Sequence, residues 1–386
     1  MRFLSPRRVL CYNRDGKRGQ VRRSFWLFAL LWGAVMLVGV LAADPPGPTI
    51  TSTKQPIIGA WLRNGTRDPL RQLVVIVATR FKSYNEISAF SYTVERDGNL
   101  TANDPVNDGV LVDFARANNI RVVPTVSSTW DSTHIVNILK NPALRANHIN
   151  AIMQVARSPL IDGIDIDYEN LPASSRQAFT DFITQLAFYV HNEGKTLSVT
   201  VPPKVRENDA ASLTGFADYT ALGQVADQIR VMAYEYHGKS GPPAPNAPIW
   251  WVRQAMSYTV SVVPSEKAIM GIHLYGYDWG GSETTAMWWN DIQTLKDKYG
   301  GAERYVETDD RGTVGEIELT YTINRSPLCP LAFFDCAPFS REKHTVYYVD
   351  ARYVAEAWKI LREFQLGGLV MWRPGGEDPA IWDVFN

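Results

Sequence analysis

A surplus of basic charge is missing from this sequence. Lys and Arg total 39 against 40 Asp and Glu, for a formal net charge of −1. Nucleic acid, which demands a basic surface, is therefore not the expected partner. Low-complexity tracts and short fixed-period repeats are also missing, so a solenoid does not fit. No G-x-G-x-x-G follows the first strand-like run, so a doubly wound open sheet, the structural alternative, lacks its phosphate-binding turn. Cysteine is scarce, with only Cys11, Cys329 and Cys336 in 386 residues.

Apolar and aromatic residues are abundant. A hydrophobic content of 45% over 386 residues suits one large domain or two ordinary ones, and a single barrel of that size buries a sizeable core. Aromatics make up 11%, including 12 Trp. Most such residues are core, but sugar sites also use flat apolar faces.

The N-terminal region is strongly patterned. Residues 1–24 carry eight Arg and Lys side chains against the single acid Asp15, forming a basic cytoplasmic tail. Phe25 to Ala43 then runs without a charge. A helix of that length reaches about 28 Å, near the hydrocarbon thickness of a bilayer. Cationic flanks stay inside, so this transmembrane signal-anchor would leave the remainder of the chain extracytoplasmic. A cleaved signal peptide, with Val40 and Ala42 before the cut, is the alternative, and it would give a secreted protein. Residues 44–55 read as a Pro-rich polar linker. Outside the cell, Cys329 and Cys336 can pair as a disulfide, or else remain two buried thiols.

Beyond the linker, strand-like and helix-like runs alternate. Strands are expected at Ile57–Leu62, Glu86–Tyr92, Arg121–Ser127, Ile161–Glu169, Thr196–Val201, Gln228–Glu235, Lys267–Tyr275 and Gly367–Trp372. Helices are expected at Ser174–Asn192, Ile249–Val263 and Ala351–Gln365. Alternation of this kind implies a parallel sheet, and eight units over 56–386 predict an α/β fold, a (β/α)8 TIM barrel. The interval 277–345 is too long for a connector. Its helical piece, Met287–Tyr299, and alternating pieces, Glu316–Ile323 and His344–Val349, predict a small α+β insertion after the seventh strand. Loops at that end of a barrel carry function, so the insertion is expected to wall the site.

The run Asp162-Gly-Ile-Asp165-Ile-Asp167-Tyr-Glu169 carries the chemistry. Side chains alternate along a strand, so Asp165, Asp167 and Glu169 share one face at steps of about 6.6 Å. Ile164, Ile166 and Tyr168 point the other way, toward covering helices. In a barrel the acidic face is the lumen, and Glu169 lies nearest the mouth. Three carboxylates gathered there should raise at least one pKa, which is what a general acid needs. A solvated strand edge would not carry Ile so regularly on its other face. One strand also cannot converge alternate residues on a single small ion, so no metal is expected.

That run fits D-x-x-D-x-D-x-E, and on it the chain resembles glycoside hydrolase family 18, the chitinase-like barrels. Val231–Glu235 (VMAYE) resembles the family's sixth strand, Gly271–Trp279 its seventh, and Gly368–Trp382 its last strand and helix. Gly241–Val252 is similar to the bacterial branch of spore-cortex and peptidoglycan-lytic enzymes. The resemblance spans roughly residues 55–386 and implies roles residue by residue. Glu169 would be the acid that protonates the glycosidic oxygen. Asp167 would hold the substrate's acetamido group, with Asp165 as its partner beneath. Tyr234 would bond the acetamido carbonyl, Trp372 would floor the distorted sugar, and Tyr275 is a further substrate-binding candidate. Tyr234, Tyr275 and Trp372 can also be read as packed strand residues. Glu235 stands where the family usually has Asp. His237 and His273 receive no role.

The resemblance implies retaining hydrolysis of β-1,4-linked N-acetylglucosamine polymers, of chitin or peptidoglycan type, by a monomer without a cofactor. A non-catalytic, lectin-like barrel at the cell wall is the alternative.

Overall fold

The computed structural model describes residues 55–63, 83–103, 105–128, 132–207, 214–281, 283–307, 313–325 and 340–385. The expected anchor at 25–43 and both Cys329 and Cys336 lie outside the described residues. Among the described residues no helix is long and apolar enough to cross a membrane.

In chain order the first half runs β1 (Ile57–Leu62), β2 (Glu86–Ala89), β3 (Tyr92–Val94), β4 (Leu100–Ala102), α1 (Pro105–Ala117), β5 (Arg121–Val122), β6 (Thr125–Ser127), α2 (Thr133–Lys140), α3 (Pro142–Ala156), β7 (Gly163–Asp167) and α4 (Arg176–Asn192). It continues through β8 (Thr196–Val201), α5 (Tyr219–Val225), β9 (Gln228–Met232), α6 (Ile249–Val262) and β10 (Ala268–His273). Next come β11 (Tyr275–Trp279), β12 (Thr285–Trp288), α7 (Trp289–Tyr299), β13 (Ala302–Glu307), β14 (Val314–Arg325) and β15 (Ser340–Tyr348). Helix α8 (Ala351–Glu363) and β16 (Gly368–Trp372) close the list.

One eleven-stranded sheet has the order β4-β3-β6-β7-β8-β9-β10-β16-β1-β2-β5. Its neighbours are parallel except for the β3–β4 hairpin. Segment 121–127 bonds to both sides: Val123 N donates to the Ile87 carbonyl at 2.9 Å, and Asp165 N to the Pro124 carbonyl at 3.0 Å. The sheet thus curls back on itself into a TIM-barrel-like fold.

Two residue patterns produce this curl. Outward side chains are aliphatic, and Ile164 and Ile166 of β7 pack in one core with Phe179, Phe182, Ile183 and Leu186 of α4. Each such burial stabilises by roughly 1.5–3 kcal/mol, which seats the helix on the strand. Glycine sets the close approaches. A Cβ on Gly163 would lie 2.4 Å from the Thr196 carbonyl oxygen, so only glycine lets β7 begin beside β8 there.

Several strands stop earlier than their sequence pattern suggests. The run at 161–169 is a strand only over Gly163–Asp167, so Glu169 follows the strand rather than ending it. Asn170, at φ 57°, turns the chain away. Gln228–Glu235 shortens to Gln228–Met232, because Glu235 sits at φ 64° and cannot extend a strand. Glu86–Tyr92 and Arg121–Ser127 each break into two short pieces. Lys267–Tyr275 divides at Leu274, where the chain leaves the first sheet for a second.

That second sheet is five-stranded and antiparallel, in the order β12-β11-β15-β14-β13. It packs α7 through Ile292 against Ile317, Leu319, Tyr321 and Val346. Met287 and Trp288, expected in the helix, belong instead to β12.

Candidate active site

The lumen is polar at its lower level because strands β2, β7, β8 and β9 carry polar residues at alternate, inward positions. Asp165 is fully buried and satisfied from four strands. Trp61 Nε1 donates to it at 3.1 Å, Thr125 Oγ1 at 2.9 Å, Ser198 Oγ at 2.7 Å and Thr200 Oγ1 at 3.1 Å. Arg230 Nη1 lies 3.3 Å from its Oδ2. The same guanidinium donates to Glu86 Oε1 and Ser88 Oγ, each at 2.7 Å, and to Gln228 Oε1 at 2.9 Å. Arg121 reaches Glu86 from the far side at 2.7 Å. Two acids and two guanidiniums interleave there, so the barrel floor is charge-balanced.

Asp167 stands one step above. It is 4% exposed, and its Oδ1 has no hydrogen-bond partner. Burial pushes its pKa well above the ordinary carboxyl value, and the charges of Glu169 and Asp165 add to this, while Arg230 opposes it. A protonated Asp167 is a hydrogen-bond donor and acceptor aimed at the mouth.

Glu169 follows at the rim. Its surface is open to solvent, yet protein packs around the carboxyl. This enclosure raises its pKa, and repulsion from Glu235 raises it further. Solvent access is consistent with proton exchange with a ligand, and a raised pKa suits a general acid.

Glu235 faces Glu169 from the loop after β9. Its Oε1 accepts hydrogen bonds from the hydroxyls of Tyr275 and Tyr277, the latter at 2.6 Å, and from Asn246 Nδ2 at 3.2 Å. Asn246 Oδ1 in turn accepts from the Glu235 amide at 2.8 Å. The backbone around Asn246 is held by the insertion. Buried Glu316 of β14 accepts from Asn246 N at 3.0 Å and Ala247 N at 2.6 Å. Tyr275 is thus a buried support for Glu235.

Tyr234 and Trp372 complete the mouth. Both pack on an apolar layer of Ile57, Trp61, Ile269 and Val370. Among the described residues no hydrogen bond engages the Tyr234 hydroxyl. Burial raises its pKa, with the charges of Asp167, Glu169 and Glu235 adding to this, so it remains a donor. Trp372 meets Phe90 edge-on at 5.2 Å, and the Trp372–Arg373 peptide is cis. From Trp372 an aromatic wall continues through Tyr275, Tyr277, Trp279 and Tyr347 of the insertion.

The structure therefore brings Asp165, Asp167, Glu169, Tyr234, Glu235, Tyr275 and Trp372 to one end of the barrel. His273 is fully buried behind them, 3.5 Å from Glu316, and His237 bonds the Pro245 carbonyl. Sequence reasoning missed Trp61, Glu86, Arg230, Asn246, Tyr277 and Glu316. A signal existed for part of this set. Glu86-x-Ser88, Ser198-x-Thr200 and Gln228-x-Arg230 are polar at strand period on strands otherwise apolar.

An acidic, mostly buried lumen beneath an aromatic mouth, on a curled parallel sheet, defines a glycoside hydrolase. Comparison with known proteins agrees. Residues 62–377 match the Glycosyl hydrolases family 18 profile, and the chain belongs to that family. It is 28% identical over 304 residues to the putative sporulation-specific glycosylase YdhD of Bacillus subtilis, covering 77% of this chain and 68% of that protein. It is 26% identical over 305 residues to the cortical fragment-lytic enzyme of the same organism, covering 78% and 68%. Among solved structures, the Bacillus cereus spore cortex-lytic enzyme SleL superposes with a TM-score of 0.74 at 23% identity, over 86% of this chain and 73% of that one, a likeness of fold. A Chromobacterium violaceum chitinase superposes with a TM-score of 0.73 at 25% identity, over 86% and 98%.

Proposed function

We propose that the chain hydrolyses β-1,4-linked N-acetylglucosamine polymers by a retaining, substrate-assisted mechanism. The observation that carries this reading is the pairing of Asp167, buried with an unpartnered Oδ1, with Glu169 two residues later. Both carboxyls approach the sugar from the same side. Glu235 is engaged by two tyrosine hydroxyls and an amide. Among the described residues no carboxylate is therefore free to attack from the opposite side, as ordinary retaining enzymes require, and family 18 is among the substrate-assisted exceptions.

In this reading Glu169 gives its proton to the glycosidic oxygen as that bond breaks. The acetamido oxygen of the same sugar bonds to the anomeric carbon and forms a cyclic intermediate. Asp167 holds the acetamido N–H and Tyr234 the carbonyl, with the sugar seated on Trp372. Glu169, now ionised, takes a proton from the water that opens the ring. Because Glu169 and Asp167 are both present, turnover is favoured over a lectin-like role.

The test uses oligomers lacking single acetyl groups. Cleavage should stop when the sugar on the non-reducing side of the scissile bond is deacetylated, and NMR should show a retained anomer. Efficient cleavage after such a glucosamine, or an inverted product, would refute the mechanism.

The export reading belongs to the same proposal. The helix-length apolar run at 25–43 anchors the chain with its barrel outside, and Cys329 pairs with Cys336. Retention in the membrane fraction through alkaline washing tests the first. Thiol titration of the unreduced, denatured chain tests the second, with two free thiols at these positions counting against it.

A further inference from the structure

Among the described residues two guanidiniums at the mouth have no acid partner. Strands β1 and β16 run parallel with Ala60 level with Met371. The two strands end at Leu62 and Trp372, so Arg63 and Arg373 leave adjacent strands at the end where Glu169 lies. Arg373 is half-buried and sits over the Trp288 ring, its Cζ 4.8 Å from the centroid. Trp288 pairs directly with Tyr275, so the two side chains share a face of the insertion sheet. Tyr275 in turn bonds Glu235. Arg373 therefore sits on the aromatic wall that runs from Trp372, not on the outer surface.

Among the described residues no carboxylate forms an ion pair with Arg63 or Arg373. The acid next in sequence, Glu377, turns its Oε2 to the amides of Gly375 at 2.6 Å and Gly376 at 3.0 Å. Burial lowers the Arg373 pKa, and repulsion from Arg63 lowers it further, a cost that an arriving anion would reverse. No hydrogen bond among the described residues engages the Arg373 guanidinium, and its fork of donors matches a carboxylate.

We propose that Arg63 and Arg373 form a carboxylate-recognition site beside the catalytic centre, selecting N-acetylated glycans that carry acid substituents. This rests on the hydrolytic reading above and narrows its substrate class. A neutral homopolymer of N-acetylglucosamine offers nothing to these two charges. A glycan whose alternate sugars bear an ether-linked lactyl group, or a peptide attached through it, offers a carboxylate.

Binding can be measured without turnover, using the full chain carrying Glu169→Gln and titration calorimetry. Three soluble oligomers serve as probes: one with free lactyl carboxylates, one with those carboxylates amidated, and one with a peptide on each lactyl group. The free acid should bind at least about tenfold tighter than the amide, and added salt should shrink the ratio. Preference for the peptide-bearing probe alone would support the site and assign the carboxylate to the peptide. Adding Arg63→Gln and Arg373→Gln should bring the ratio close to one, while Arg373→Lys, which keeps the charge, should retain a preference. Equal affinity for all three probes in the parent, or an unchanged ratio in the double variant, overturns the proposal. Hydrolysis of neutral oligomers by the native chain is read separately, so failure of the catalytic reading is told from failure of this one.

Discussion

Replacing Arg230 with Met should be among the most damaging single changes in the barrel. The guanidinium is 1% exposed and serves four partners, Glu86, Ser88, Gln228 and Asp165. Met fills a similar volume, so little cavity forms. What remains is Glu86 and Asp165 buried in the lumen, with Arg121 nearby on the Glu86 side. Removing one partner of a buried ion pair typically costs about 3–5 kcal/mol, most of it from the charge left behind. A loss near the upper end is expected, because two carboxylates are stranded. The sign of the double-mutant cycle follows from the same argument. Glu86→Gln together with Arg230→Met removes one stranded charge, so the double variant should be less destabilised than the sum of the singles, by about 1–3 kcal/mol. Urea unfolding at pH 7 followed by fluorescence and circular dichroism measures all three variants. A loss under about 1 kcal/mol for Arg230→Met, or strict additivity with Glu86→Gln, would refute the charge-balanced floor.

Three further outcomes are expected. Glu169→Gln keeps the shape and removes the proton, so turnover should fall by about 10²–10⁴ with the unfolding curve little changed, and near-native turnover would remove Glu169 from its role. Asp167→Asn should cost activity yet stabilise the fold at neutral pH. Asp167 holds its proton more tightly folded than unfolded, so native stability declines as pH rises from the ordinary carboxyl range toward the raised folded value. The neutral amide removes the Asp167 share of that decline while Glu169 keeps its own, and a urea midpoint for the variant that falls as steeply as the parent's over this range would contradict the assignment. Glu235→Gln should move the alkaline arm of the kcat/KM profile to lower pH, because the charge of Glu235 helps Glu169 keep its proton. An arm that stays in place would show the two carboxyls to be uncoupled.

What could be read in advance depended on sequence distance. Asp165, Asp167 and Glu169 are contiguous, and strand alternation alone orders them along one line into the lumen. The alternation of strands and helices foretold the TIM-barrel-like sheet, because each outward face repeats aliphatic residues every second position. Strand ends were less legible. Tyr234 and Glu235 continue an apolar run, yet the left-handed backbone of Glu235 takes them out of the sheet. Its cause is remote, since Asn246 brackets the Glu235 amide and carboxylate together. The floor was hidden for a related reason. Glu86 and Arg230 are 144 residues apart, and nothing local pairs them. Their polar alternation marks an inward face, but only closure of the sheet brings the faces together.

The grip of Glu316 on the Asn246–Ala247 peptide makes the insertion and the loop after β9 a single inherited unit. Replacing the insertion with that of another barrel would discard the acceptor for two backbone amides on a loop left otherwise intact. Replacing the loop would leave Glu316 buried beside His273 with its acceptors unfilled. Domain shuffling or engineered chimeras of this barrel should therefore succeed only when the two segments travel together.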